Sequence, residues 1–580
     1  LGGTCFSMVL TPIVTSLLSK ARKFSYNCIP FITVEDASGR YTSMFYWGNN
    51  YWTGSAELCD ALNENHGPAK ARNSEYIHTL FTFSKNHFSV SRRTLYLGLC
   101  LPWSCGRRAV GAVVGAARAP LLHHAVLAVR SPQHVPTCKF NVPGVWSELL
   151  LSFSMKANVV QIFEQSVGAD TVPVVHGLRS LSMVWVIFGH TCIVVFKYAD
   201  NTALRAILEK SFWFQLIISA VYSVDTFFCL GGMLVAFLYF RTNAKGKLDL
   251  LTKGRKKITA GVLQFLGLMG YRFARLTVPY LFMLGVVEVT MKWFAHNAVF
   301  EPPANDDETC PQYWWRNLLY INTLFPVEQM CMLWSWYLSD DTQFYAVSAI
   351  LLILSTSHFK LSAILSVLFF ISSLLTTGYV SWSNDHVPNS EDPFTQFDKI
   401  YDKPWTRLGP YLVGMFTGWI LFKTDLKIKM NRVRNCWTVC AGVLLFLIFG
   451  LYDTELPVGA AAVYSALSHS LWAAAIGWII IACSTGHGGQ YYHYSILAAP
   501  ILYPFSRLTY CTYLVHPVVL RYVAMHLTHP IHLGELLVFV LFLGLTVISF
   551  FLALVISVSF EAPMVSMLKI LAPQRKPHRV

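Results

Sequence analysis

Residues 174–196 read VVHGLRSLSMVWVIFGHTCIVVF. The run is long and apolar enough to cross a bilayer core as one helix, and it carries Arg179 and His190 within it. The two positions are eleven residues apart. At 100° per residue that is three turns plus roughly 20°, so they share one stripe, about 16 Å apart along the axis. Charge on one face of a membrane-length helix is costly in lipid and is expected to face a cavity inside a bundle. The plainer alternative is that each side chain is tied off by a carbonyl or an acid on a neighbouring helix.

Composition agrees with a membrane reading. Of 580 residues, 54% are hydrophobic and only 13% charged, against about a quarter charged in soluble chains. Candidate spans are 176–196, 212–240, 271–294, 333–354, 361–381, 405–423, 435–452, 460–483, 505–527 and 535–560, ten in all. Basic residues gather in 241–257, 423–434 and the tail, while acidic residues gather in the alternate loops, around Asp306, Asp385 and Asp453. Alternation and charge therefore agree, with the basic loops expected in the cytosol. The net charge of +14 reads as loops lying on an anionic leaflet. It does not read as nucleic-acid binding. No internal repeat of the inverted-transporter kind is found.

The fold expected is an all-α polytopic membrane protein of about ten transmembrane helices, preceded by a small Cys-rich extracytoplasmic domain. Its divisions are 1–140, a linker 141–173, a membrane domain 174–570 and a basic cytosolic tail 571–580. The membrane itself, plasma membrane or endomembrane, is left open. Residues 6–18, FSMVLTPIVTSLL, read equally as the end of a signal segment or as part of a cut domain.

Six cysteines fall in the first 140 residues: Cys5, Cys28, Cys59, Cys100, Cys105 and Cys138. They lack the Cys-x2-Cys and His spacing of a zinc site, so no metal is expected. Turn-rich sequence around them fits an oxidised outer domain, with Cys59, Cys100, Cys105 and Cys138 as candidate disulfide partners of open connectivity. In the acidic loop 295–332, Cys310 and Cys331 are expected to pair. An outer N-terminal domain also needs a crossing before residue 176. Residues 109–130, AVGAVVGAARAPLLHHAVLAVR, are a poor span. Either they cross or a segment is missing from the chain.

Further ionisable residues lie deep in spans. Asp225 in VDTFFCLGGML could orient a histidine or serve as a structural pair. Arg272 and Arg275, at i and i+3, share a face. They offer two forks to a phosphate, or are ordinary snorkelling flanks. His469 in SALSHSLWA is read as structural, and His516 precedes Pro517 at an expected cavity wall. Gly-x-Ser-x-Gly, His-Glu-x-x-His, a phosphate-binding Gly-rich loop and the His-x4-Asp of glycerolipid acyltransferases are all absent.

Two resemblances follow from particular phrases. EDASGRYTSMFYWGNNYWTGSAELCDALN (35–63) and LYLGLCLPWSCG (95–106) resemble the N-terminal domain of the nose-resistant-to-fluoxetine family. HGLRSLSMVWVIFGH, the Arg272–Arg275 pair, VDTFFCLGGML, WSWYLSDDTQFY, TYCTYLVHP and FEAP resemble the acyltransferase 3 family over roughly 150–570. The second match departs at Gly231, where the resemblance implies Ser.

The resemblance implies acyl transfer from cytosolic acyl-CoA, as co-substrate, to a hydroxyl of a lipid, sugar or other extracytoplasmic acceptor. In that scheme His190 is general base, oriented by Asp225, or carries the acyl group covalently. Arg179 holds the pantetheine or pyrophosphate end or the oxyanion, and Arg272 and Arg275 bind the donor phosphates. Trp336, Tyr513, His516 and Glu561, from the quoted phrases, become candidate cavity residues. The expected partners are membrane lipids and a small-molecule or lipid acceptor. The rival reading is a transporter or uptake protein for lipids and small apolar compounds, and a weaker one is a ligand-binding receptor.

Overall fold

The apolar run at 174–196 forms a single helix, Val174–Lys197, in the structure, a computed structural model. The structure describes 51–52, 74–83 and 93–102 at the backbone. It also describes 145–571 except 167–170, 200–206, 246–256, 301, 389–395, 424–429, 455, 486–495 and 528–529. The chain divides into two units, Leu1–Phe140 and Asn141–Val580.

In the first unit, β1 (Tyr51–Trp52), β2 (Ser74–Phe83) and β3 (Arg93–Pro102) form a sheet of order β1-β3-β2. β2 and β3 run antiparallel, with Cys100 opposite Tyr76. β-branched and aromatic residues recur through SEYIHTLFTF, as a pleated strand favours. Cys59, Cys105 and Cys138 lie outside the described residues, and Cys100 is described only in its backbone. The segment 109–130 and the tail beyond 571 lie outside them too.

The second unit is helical. Two short helices, α1 (Val145–Leu151) and α2 (Met155–Phe163), lead into α3 (Val174–Lys197). They are followed by α4 (Tyr222–Ala244), α5 (Lys257–Asn297), α6 (Asp306–Leu318), α7 (Trp336–Ser357) and α8 (Phe359–Ser383). Then come α9 (Pro404–Lys423), α10 (Met430–Phe449), α11 (Val458–Ser484), α12 (Leu502–Met525), α13 (Glu535–Ile556) and α14 (Ala562–Leu571). A π-helical turn, Ser557–Glu561, joins the last two.

A long helix stands at each of the ten expected spans, yet among the described residues only seven helices are long and apolar enough to cross a membrane. The three that fall short are α7, α9 and α12. They carry Asp340 and Asp341, Arg407, and Arg507, His516 and Arg521. Asp340, Arg407 and His516 are fully buried. Helices that face protein rather than lipid can hold charge that lipid would reject, so the residues that lower their hydropathy are the ones turned into the bundle.

α4 and α9 approach closely because both are cut back to glycine at the contact. A Cβ on Gly414 would strike the Cys229 backbone carbonyl, one on Gly418 that of Met233, and one on Gly232 that of Tyr411. Such small-residue spacing lets helix backbones meet. It sets Arg407 of α9 beside Asp225 of α4. Gly414→Leu is expected to wedge the pair apart and cost about 1–3 kcal/mol, measured as a fall in thermal midpoint and in monodispersity in detergent.

The expected Cys310–Cys331 disulfide is present, with both residues fully buried. It fastens α6 to the loop before α7. Asn317 Nδ2 donates to the Cys331 carbonyl at 2.8 Å, Met332 N donates to Asp306 at 2.8 Å, and Asp306 pairs with Arg521 of α12. This cap holds the α12 end of the bundle that bears the acidic loop.

Candidate active site

The 3-4 spacing of α3 puts His176, Arg179, Met183, Val186 and His190 on one stripe. All five line a cavity of about 1220 Å³ between α3, α4, α5, α7 and α12. That exceeds the roughly 300–1,000 Å³ of ordinary small-ligand pockets. Trp336, Tyr513, His516, Glu561, Arg272 and Arg275 line it as well.

His190 stands against α12. Its Nδ1 lies 2.9 Å from His516 Nε2, and the two rings stack at 5.1 Å, tilted by 15°. His516 Nδ1 lies 3.0 Å from the Thr512 carbonyl oxygen. A carbonyl oxygen can only accept, so His516 carries its proton on Nδ1 and presents a lone pair at Nε2. His190 must then donate from Nδ1, which leaves the lone pair on its Nε2. No partner for that nitrogen is found among the described residues.

Asp225 does not orient His190. It is fully buried in a separate cluster, where Arg407 Nη1 lies 3.2 Å from Oδ1 and His469 Nδ1 lies 2.7 Å from Oδ2. The Gly-mediated contact of α4 and α9 brings this ion pair together. His469 sits with it as a structural histidine, its ring 5.6 Å from that of Tyr222.

Five arginines line the cavity and differ in what they already hold, Arg521 being paired with Asp306. Arg272 is paired with Asp341, and its guanidinium lies over the Tyr345 ring at 4.4 Å. Arg275 is nearly half exposed and reaches Glu561 Oε1 at 3.5 Å. Arg507 donates to the carbonyls of Gln161, Ile162 and Glu164 at 2.6–2.9 Å, closing the end of α2. Arg179 has neither an ion pair nor a hydrogen bond among the described residues, and the charges of Arg275, Asp341 and Glu561 act on it. The Arg-x-x-Arg pair is therefore divided, one fork paired with Asp341 within the fold and the other, half exposed at the cavity wall, paired at longer range with Glu561.

Local sequence explains these placements. Pro279 in α5 cannot donate to the Arg275 carbonyl. Tyr510 of α12 donates to the adjacent Leu276 carbonyl at 2.6 Å, docking α12 on that turn. Glu561, at the end of the π turn, accepts from Ser557 at 3.1 Å and Cys511 at 3.3 Å. Tyr513 donates to the Trp334 carbonyl at 2.5 Å, and Trp336 packs on Tyr401 at 4.9 Å.

His176 and Arg507 are among the cavity residues that escaped the sequence reading, as are Asp341 and Arg521. His176, hydrogen-bonded to Ser506 at 2.9 Å, stands three residues before Arg179, a spacing that was available as a signal. Arg507 carried none beyond being a basic residue near a helix start.

This arrangement sets an arginine without an ion pair and a tautomer-fixed histidine in one large cavity between helices. A family model described as an acyltransferase domain matches residues 173–559. A second, described as the nose resistant-to-fluoxetine protein N-terminal domain, matches 25–114. The chain belongs to the acyltransferase 3 family, with a nose-resistant-to-fluoxetine type N-terminal domain. With its apolar helices, that makes it an integral membrane protein. Among curated relatives, "Nose resistant to fluoxetine protein 6" of Caenorhabditis elegans is 29% identical over 466 residues, 73% of this chain and 54% of the relative. The chain thus spans about half the length of the curated relative it matches. No solved structure matches.

Proposed function

We propose that this protein is a membrane-embedded O-acyltransferase that takes its acyl group from acyl-CoA and passes it to a hydroxyl of a lipid, sugar or other acceptor. The observation that carries the reading is the Thr512–His516–His190 relay, which leaves a lone pair on His190 Nε2 at the wall of the cavity that Arg179 also lines.

In this reading the donor phosphates lie against Arg179 and Arg275, and the thioester reaches toward His190. The acceptor O–H gives its proton to His190 Nε2 as the oxygen attacks the thioester carbon. Arg179, about 16 Å from His190 along the helix axis, stays with the phosphate end of the donor and does not reach the tetrahedral oxyanion. Collapse breaks the C–S bond, and the thiolate takes the proton back from His190. No metal is required by this scheme.

Ten crossings, with the basic loops in the cytosol and the N-terminal domain outside, fit the alternation of loop charge. A cysteine placed at Gly254 is then expected to resist membrane-impermeant thiol reagents in intact cells, and ready labelling from outside would reverse the topology. The reaction itself is tested by incubating the purified full chain with labelled acyl-CoAs of several lengths. Release of free CoA thiol in the wild type and its loss in His190→Ala is the expected result.

One observation favours the rival reading of a transporter. The cavity is lined from His176, near the start of α3, to Lys197 at its end. Uptake that survives His190→Ala, in a protein that consumes no acyl-CoA, would select that reading.

A further inference from the structure

The cavity has an arm that the acyl-transfer scheme leaves unused. It leaves the level of His190 and runs toward the end of the bundle that carries the basic 241–257 loop. It is lined there by Leu234, Val235 and Leu238 of α4, Leu268 of α5, and Ala349 and Leu352 of α7. These six are apolar, and Tyr239, Thr242, Tyr271 and Tyr345 line the cavity beside them. The ion pair of Arg272 and Asp341 stands at its root, as does Gly231. Along α4 the lining continues from Gly231 to Thr242. Eleven residues of helix span about 16 Å, close to the roughly 15 Å of half a bilayer's hydrocarbon core, the depth that one lipid chain fills.

Gly231 lines the cavity at the root of the arm. A Cβ there would stand 3.2 Å from Asp341 Oδ1 and 3.3 Å from Tyr411 Cε2. The serine expected at this position would press on both. Gly231 thus lets Asp341 and Tyr411 close on α4 at the junction between the cationic wall and the apolar arm.

We propose that this arm holds the acyl chain of the donor, so that the substrate is a long-chain acyl-CoA of membrane-lipid length rather than acetyl-CoA. The inference rests on the acyltransferase reading. The arm suits the donor's chain better than the acceptor's because its root adjoins the arginine-lined wall that takes the donor. Each methylene sheltered there is worth about fourfold in affinity, so a lipid-length chain outcompetes acetyl by a wide margin.

The experiment measures binding and consumption of palmitoyl-CoA, octanoyl-CoA and acetyl-CoA by the purified full chain and by two variants, Ala349→Phe and Leu238→Trp. Ala349 is buried and Leu238 is 44% exposed, so the second variant serves if the first fails to fold. The wild type is expected to prefer palmitoyl-CoA, and each folded variant to lose at least tenfold in the palmitoyl-to-acetyl ratio. A wild type that uses acetyl-CoA and ignores palmitoyl-CoA overturns the inference and leaves the acyltransferase reading standing. An unchanged ratio in a folded variant does the same. Failure to bind or consume any of the three overturns both.

Discussion

His190→Ala is expected to lower turnover about 10²- to 10⁴-fold, the usual contribution of a general base, while acyl-CoA still binds. The base acts on the acceptor proton and not on the donor phosphates, so the loss falls on kcat and spares the donor's Kd. His516 acts one step back. Its Nε2 takes the Nδ1 proton of His190 at 2.9 Å, and its own Nδ1 is committed to the Thr512 carbonyl at 3.0 Å. His516→Phe removes the acceptor and frees His190 to place its proton on either nitrogen. A fall in kcat with little change in donor affinity is expected. His516→Asn, whose amide oxygen can accept the same hydrogen bond, is expected to restore part of it. Loss of donor binding in His190→Ala, or equal turnover in His516→Phe and the wild type, would remove the relay from the mechanism. The readout is turnover and equilibrium binding on the same purified variants.

Substituting the cavity arginines is expected to separate binding from folding. Arg179 has no partner to abandon, so Arg179→Gln leaves the bundle intact and weakens acyl-CoA binding by removing charge-assisted hydrogen bonds to the phosphates. Such bonds are worth about 1.5–3 kcal/mol, at least tenfold in affinity. Arg275→Gln falls at or below the lower end of that range, because a half-exposed charge is screened by solvent. Arg272→Gln behaves differently. It strands the Asp341 carboxylate in the bundle, and breaking such a pair costs about 3–5 kcal/mol of stability. The double substitution Arg272→Gln with Asp341→Asn is expected to recover most of the thermal midpoint. Arg179→Lys restores only part of the affinity, since an ammonium keeps the charge and loses the fork. If Arg179→Gln binds every acyl-CoA as the wild type does, the guanidinium is not a donor contact.

Much of the architecture was legible from hydropathy, because a helix in lipid must be apolar along its length. Where a helix is shielded by its neighbours that rule lapses. α7, α9 and α12 carry their charges into the protein; they stand among the ten expected spans, where loop-charge alternation supports the count, yet are less apolar than the other seven. The Cys310–Cys331 bond was legible from compartment and spacing. The stripe of Arg179 and His190 was legible because it depends only on helical period within one segment.

What each polar group meets was decided by packing between helices distant in sequence. Asp225 looked like the companion of His190 because both lie within adjacent spans. The glycine contact of α4 with α9 draws Asp225 to Arg407, 182 residues away, and to His469, 244 residues away. The companion of His190 comes instead from α12, 326 residues on. The Arg-x-x-Arg pair likewise reads as two equal forks, and only the fold gives one of them to Asp341. The sequence by itself determined the membrane class, the family's cavity helix and the face that its arginine and histidine share, since period and hydropathy are local properties. The tertiary structure alone decided which histidine fixes the proton on His190, which arginine stays free, and where an apolar chain has room. Those depend on side chains that only the bundle brings within hydrogen-bond or van der Waals reach.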